Sequence, residues 1–164
     1  MRRVTDRQPP RAELIPPLRY SVSTVFPLPA EADVLFYDGH CGLCHRAVRF
    51  VLKRGRPGAE FRFAPLQGTT FVERIPAERR RSIPDSMAVL TAGGLLLTRA
   101  DALIYILRRL GGGWQTVAAF AAAIPRPLRD ALYDVAARAR YRVFGRREEP
   151  CPVADPGLRR RFDP

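Results

Sequence analysis

Val34-Leu35-Phe36-Tyr37-Asp38-Gly39-His40-Cys41-Gly42-Leu43-Cys44 changes its pattern halfway along. The first four residues are apolar and aromatic without a break, the composition of a buried strand. Asp38-Gly39-His40 interrupts them. From Cys41 the spacing turns helical: Leu43, Ala47, Phe50, Val51 and Arg54 recur every three or four residues, with Val48 and Leu52 widening the apolar face. Gly55, Pro57 and Gly58 close that helix. Cys41 therefore falls where a strand hands over to a helix.

Downstream, Phe61-Arg62-Phe63-Ala64 reads as a second strand stopped by Pro65, and Thr69 to Ile75 as a short helix. Ser86 to Leu90 and Leu95 to Thr98 form a hairpin around Ala92-Gly93-Gly94. Arg99 to Leu110 is an amphipathic helix with Leu103, Ile106, Leu107 and Leu110 expected inward, stopped by Gly111-Gly112-Gly113. The order β-α-β-α-β-β-α predicts an α/β domain with a mixed sheet over residues 33–112. A helical extension over 113–145 follows, in two segments, Trp114 to Ile124 and Pro127 to about Phe144. Residues 146–164 form a charged tail with Cys151. Residues 1–32 hold six of the sixteen prolines and no sustained apolar period, so an extended or disordered leader is expected.

At 164 residues the chain has room for one domain of roughly 100–200 residues plus tails. No run approaches the roughly 18 apolar residues that cross a bilayer, and no apolar segment follows Met1-Arg2-Arg3. The cytoplasm is the expected compartment. The net charge of +12 is almost all arginine, Lys53 being the only lysine. The arginines are scattered and lack interleaved aromatics, so a solvated surface is expected rather than a nucleic-acid groove.

Three cysteines are too few for a disulfide-stapled scaffold. Cys41 and Cys44 form a C-x-x-C, which points to redox or metal chemistry. At a helix start, unpaired N–H groups and the positive dipole end favour a thiolate, the nucleophilic form. Cys44, one turn on, can reach Cys41 to close a disulfide. Cys41 is therefore the expected exposed nucleophile and Cys44 the resolving thiol. Gly42 is expected to keep the approach to Cys41 open, and Leu43 to cap it with apolar surface. Asp38 is either a relay for the Cys44 proton or a turn carboxylate bonding local N–H groups. His40 and His45 flank the dithiol, His40 as a thiolate partner or an exposed loop residue; Arg46 and Arg49 read as solvated helix-face residues. The alternative is a zinc-binding structural or interaction module built on Cys41, Cys44, Cys151 and either histidine.

Tyr37-Asp38-Gly39-His40-Cys41-Gly42-Leu43-Cys44 resembles the signature of the DCC family of thiol-disulfide oxidoreductases, named for its Asp-Cys-Cys pattern. Phe63-Ala64-Pro65-Leu66-Gln67 resembles its second block. Asp101-Ala102-Leu103, Leu110-Gly111-Gly112 and Trp114 resemble the third. Pro125 to Asp130, Tyr133-Asp134 and Arg140-Tyr141-Arg142 resemble the C-terminal one. The resemblance implies a thioredoxin-like fold, a protein-disulfide reductase type of activity, and Asp38, Cys41 and Cys44 as the active trio. It implies a disulfide-containing protein or small thiol as substrate, an electron-donating dithiol as partner, and no bound organic cofactor. Ala100 stands where the family usually has serine. Thioredoxin-like sites carry a cis-proline before the third strand; Pro84 is the nearest candidate. Gln67, polar in an apolar block, is expected to face the site or cap a turn. Cys151 has an open role.

Overall fold

The computed structural model describes residues 32–56, 60–81, 83, 87–146 and 156–164. The leader, Pro84 and Cys151 lie outside them, so the expectations of disorder, of a cis bond and of a third thiol near the dithiol fall outside the described residues.

Four strands build one mixed sheet in the order β2-β1-β3-β4: β1 Asp33–Tyr37, β2 Phe61–Pro65, β3 Ala88–Leu90 and β4 Leu96–Thr98. β1 runs parallel to β2, with Leu35 opposite Phe63, and antiparallel to β3. β3 and β4 form the expected hairpin. All five residues of β1 are buried because the strand is central and both its faces are covered. Leu35 and Tyr37 face one side, and Val34 and Phe36 the other.

The first face packs on α1 (Gly42–Arg54) and α4 (Arg99–Leu110) through Val48, Val51, Ala102, Ile106 and Leu110. The second is covered by α2 (Thr69–Arg74) through Phe71, whose ring meets Phe36 edge-on with centroids 5.1 Å apart, and by Ile75 just beyond it. Burying a side chain such as Phe36 or Leu35 contributes roughly 1.5–3 kcal/mol. This mixed sheet, with helices on both faces, is consistent with the expected thioredoxin-like fold. One turn of helix, α3 (Ala77–Arg80), was not legible in the sequence.

Leu103 corrects the expected face of α4: it is 42% exposed, while Ile104 is buried. The reason is α5 (Gly113–Ala123), which packs on α4 and takes Ile104 and Leu107 against its Ala118. A reading of α4 against the sheet alone leaves that second neighbour out. Gly111 ends α4 at φ +69°, a backbone conformation that side-chain-bearing residues rarely adopt.

α6 (Arg126–Phe144) then folds back over α4 and α1. Asp101, buried in the first turn of α4, accepts hydrogen bonds from Arg126 (2.9 Å) and Arg129 and so fastens the start of α6. Arg99 pairs with Asp134 at 3.3 Å in its middle. Beyond it, α7 (Pro156–Arg159) leads to a terminal segment that lines the free edge of β2. The Phe63 N–H donates to the Arg161 carbonyl at 2.7 Å, and Phe162 stacks on Phe63.

Candidate functional site

β1 ends at Tyr37, and the next four residues turn the chain into α1. Cys41 is the residue that caps that helix. Its backbone is extended and its Sγ accepts the Cys44 N–H at 3.5 Å. The sulfur thus occupies the place a serine or aspartate oxygen usually takes at a helix start, where the helix dipole favours negative charge. Both cysteines are free thiols. Cys44, one turn later, is 4% exposed. Burial, and then the charge of Cys41 beside it, push the Cys44 thiol up to about 12.

The structure corrects the expectation that Cys41 is exposed: its exposure is 0%. The cover is the end of α6. Arg146 pairs with Cys41 as an isolated antiparallel bridge, and the Gly42 N–H donates to the Gly145 carbonyl at 3.3 Å. Gly42 therefore does the opposite of what was expected. It makes room for this cover, since a Cβ there would collide with the Phe144 carbonyl oxygen. Leu43 is half-buried against the same core cluster.

Asp38 is 1% exposed at the end of β1. One carboxylate oxygen, Oδ1, accepts the His40 N–H (2.9 Å) and the Gln67 amide (3.4 Å). The other, Oδ2, accepts the Tyr141 hydroxyl and the Arg140 guanidinium, the latter at 3.4 Å. Burial alone would raise the carboxyl. The Tyr141 hydroxyl, the His40 N–H, the Arg140 charge and the Gln67 amide outweigh it and hold Asp38 below its ordinary value. Tyr141 moves the opposite way, pushed up by burial and by the carboxylate it bonds.

The turn reading of Asp38 is thus realised in its bond to His40, and its other oxygen faces α6. Gln67 faces the site and holds the turn together, because its Oε1 also accepts the Gly39 N–H at 3.2 Å. His45 is buried and its Nε2 meets the Gly39 carbonyl at 2.7 Å. His40, Arg46 and Arg49 are exposed, and Arg46 lies over the Phe144 ring at 5.3 Å. Among the described residues no three His, Cys, Asp or Glu side chains gather as metal ligands. Sequence reasoning assigned no role to Arg140, Tyr141 or residues 144–146. Arg140 and Tyr141 stand 102 and 103 positions from Asp38, and the only hint was the block Arg140-Tyr141-Arg142 in the family resemblance.

A carboxyl held low by its partners is a charged group that stabilises the fold only while ionised. The sign follows: the contribution is present above the ordinary carboxylate pKa near 3.9 and is lost as pH falls through the lower folded value. Asp38→Asn is therefore expected to lose stability at pH 7, with the deficit shrinking below about pH 4, in urea unfolding measured across that range. A deficit that does not change with pH would contradict the charged network.

Comparison with known proteins gives a consistent picture. A family model described as DCC1-like thiol-disulfide oxidoreductase matches residues 35–146. The chain is 35% identical over 136 residues to an uncharacterized protein, YuxK, of Bacillus subtilis (strain 168), covering 80% of this chain and 93% of that one. It is 28% identical over 113 residues to a chloroplastic DCC family protein of Arabidopsis thaliana, covering 69% of this chain and 65% of the relative. No solved structure matches. No helix among the described residues is long and apolar enough to cross a membrane.

Proposed function

The chain belongs to the DCC1-like thiol-disulfide oxidoreductase family, and on that premise we propose that it is a protein-disulfide reductase working through Cys41 and Cys44. The observation that carries this reading is the Cys41 sulfur at the cap of α1, bonded by the Cys44 N–H. A charge on Cys41 opposes a second on Cys44, and with Cys41 at the helix cap this supports Cys41 as the attacking sulfur and Cys44 as the one that waits.

Cys41 as thiolate attacks one sulfur of a substrate disulfide. The substrate S–S bond breaks, the leaving thiolate takes a proton, and a mixed disulfide forms on Cys41. Cys44 then gives up its proton and attacks the Cys41 sulfur. The mixed disulfide breaks, a Cys41–Cys44 disulfide forms, and the second substrate thiol leaves. Two electrons have passed from the dithiol to the substrate, and a second dithiol restores the pair. Because Cys41 is covered, the segment Phe144 to Arg146 must lift before a substrate sulfur can approach. The reading takes the cytoplasm as the compartment, where thiols are kept reduced.

The test is a redox titration against glutathione with mass-spectrometric mapping of the cysteines. Reversible two-electron formation of a Cys41–Cys44 disulfide is the expected result. Failure of that disulfide to form at any poise would overturn the reading, and stoichiometric zinc on the purified protein would favour the metal-binding module.

A further inference from the structure

In the seated arrangement Asp38 is a poor base. Its donors hold the carboxyl below its ordinary value, while burial pushes the Cys44 thiol up, so transfer of the Cys44 proton to it is uphill. Four donors bring this about, and two of them, Tyr141 and Arg140, come from the last turns of α6. The same helix end continues within three residues into Phe144 to Arg146, the segment over Cys41 and Gly42. Arg146 lies over the Tyr141 ring at 4.8 Å, tying that segment to the residue that holds Asp38. Arg140, although on the surface of a helix rich in exposed residues, is itself only 6% exposed, and its guanidinium also donates to the Tyr141 hydroxyl at 3.0 Å.

Resting on the disulfide-exchange reading above, we propose that Tyr141 and Arg140 are positioning residues acting through Asp38: seated, they hold the carboxylate out of use, and their withdrawal with the end of α6 lets Asp38 take the Cys44 proton. One movement then does two things. It uncovers Cys41 for the incoming disulfide and returns to Asp38 the basicity that the second half of the exchange requires. The proton balance is complete within the site. Cys44 loses a proton, Asp38 gains it, and the departing substrate thiolate collects it or one from water. The remaining donors on Asp38, His40 N–H and the Gln67 amide, come from the β1–α1 turn and the segment after β2. They are not carried by α6, so one carboxylate oxygen stays held when α6 leaves.

Cys44 at the start of α1 and Arg140 and Tyr141 on α6 are charged or titratable groups that interact with Asp38. Tyr141→Phe removes a single donor and leaves the ring in place. In the reduced full-length variant, the Asp38 carboxyl carbon followed by NMR is expected to titrate about one pH unit above wild type, the equivalent of one hydrogen bond to a charged group. The second readout uses thionitrobenzoate placed as a mixed disulfide on Cys41. With Cys41 carrying that adduct the end of α6 is already displaced, so its release by Cys44 is expected at the wild-type rate in Tyr141→Phe. Arg140→Lys, which keeps the charge but loses the planar fork, carries the same test with a smaller shift.

A purely structural role would lower stability, leave the Asp38 midpoint where it was, and slow the release. That pattern in a folded variant overturns the proposal. The two readings fail separately. If Cys44 of the wild-type protein never displaces thionitrobenzoate, the disulfide-exchange function falls, whereas an Asp38 midpoint unmoved by Tyr141→Phe defeats the role of α6 alone.

Discussion

Cys41→Ser is expected to lower disulfide exchange by roughly a thousandfold or more, the order of loss when a covalent nucleophile is removed. A serine hydroxyl at the cap of α1 keeps the hydrogen bond that the Cys41 sulfur accepts from Cys44 N–H, so the helix start survives and the loss reports chemistry. Cys44→Ser is expected to behave differently. The first attack proceeds, the second thiol is missing, and the mixed disulfide on Cys41 accumulates as a mass adduct under non-reducing conditions. The pair of variants separates attack from resolution. Wild-type exchange rates in Cys41→Ser would remove Cys41 from the role of nucleophile. An adduct on Cys44 in the Cys41→Ser protein would reverse the two assignments.

The second large effect concerns access. A buried thiol reacts with an alkylating reagent only through local opening, at a rate set by the free energy of that opening. The cover over Cys41 is short and is held to α1 by the Gly42–Gly145 hydrogen bond and the bridge between Cys41 and Arg146. Gly42→Ala would drive a Cβ into the Phe144 carbonyl oxygen, with the Phe144 carbonyl carbon at 3.3 Å and the Gly145 oxygen at 3.4 Å behind it. These are backbone atoms, which cannot swing aside as a side chain can, so the cover must retreat. Loss of one or two hydrogen bonds at about 1 kcal/mol each corresponds to ~10-fold faster alkylation of Cys41 by iodoacetamide at fixed pH. The helix itself has no reason to suffer, since alanine is the best helix former. An alkylation rate equal to that of wild type in a folded Gly42→Ala protein would show that something other than residues 144–146 shields the sulfur.

The local elements were legible for a physical reason. Residues 34–37 are apolar without interruption because β1 is covered on both faces, and the three- and four-residue spacing after Cys41 follows from one face of α1 lying on the sheet. The strand-to-helix change and the dithiol at it are properties of neighbours in the chain. The local pattern misleads where the deciding neighbour is distant. The pattern points Leu103 inward because a helix period cannot say which of two partners, sheet or α5, sets the buried face. Gly42 reads locally as clearance at Cys41 because the segment that fills the clearance is about a hundred residues away.

From the residues in order, then, come the strands and helices, the C-x-x-C at a helix start, and the carboxylate three positions before it, all set by short-range geometry and by the alternation of apolar and polar side chains. The tertiary structure alone decided that α6 folds back, fastened by Asp101 at its start, Arg99 in its middle and Asp38 near its end, so that the dithiol is covered and its carboxylate is held. The burial of Cys41 and the state of Asp38 depend on contacts between segments far apart in the chain, and no local pattern encodes such a contact.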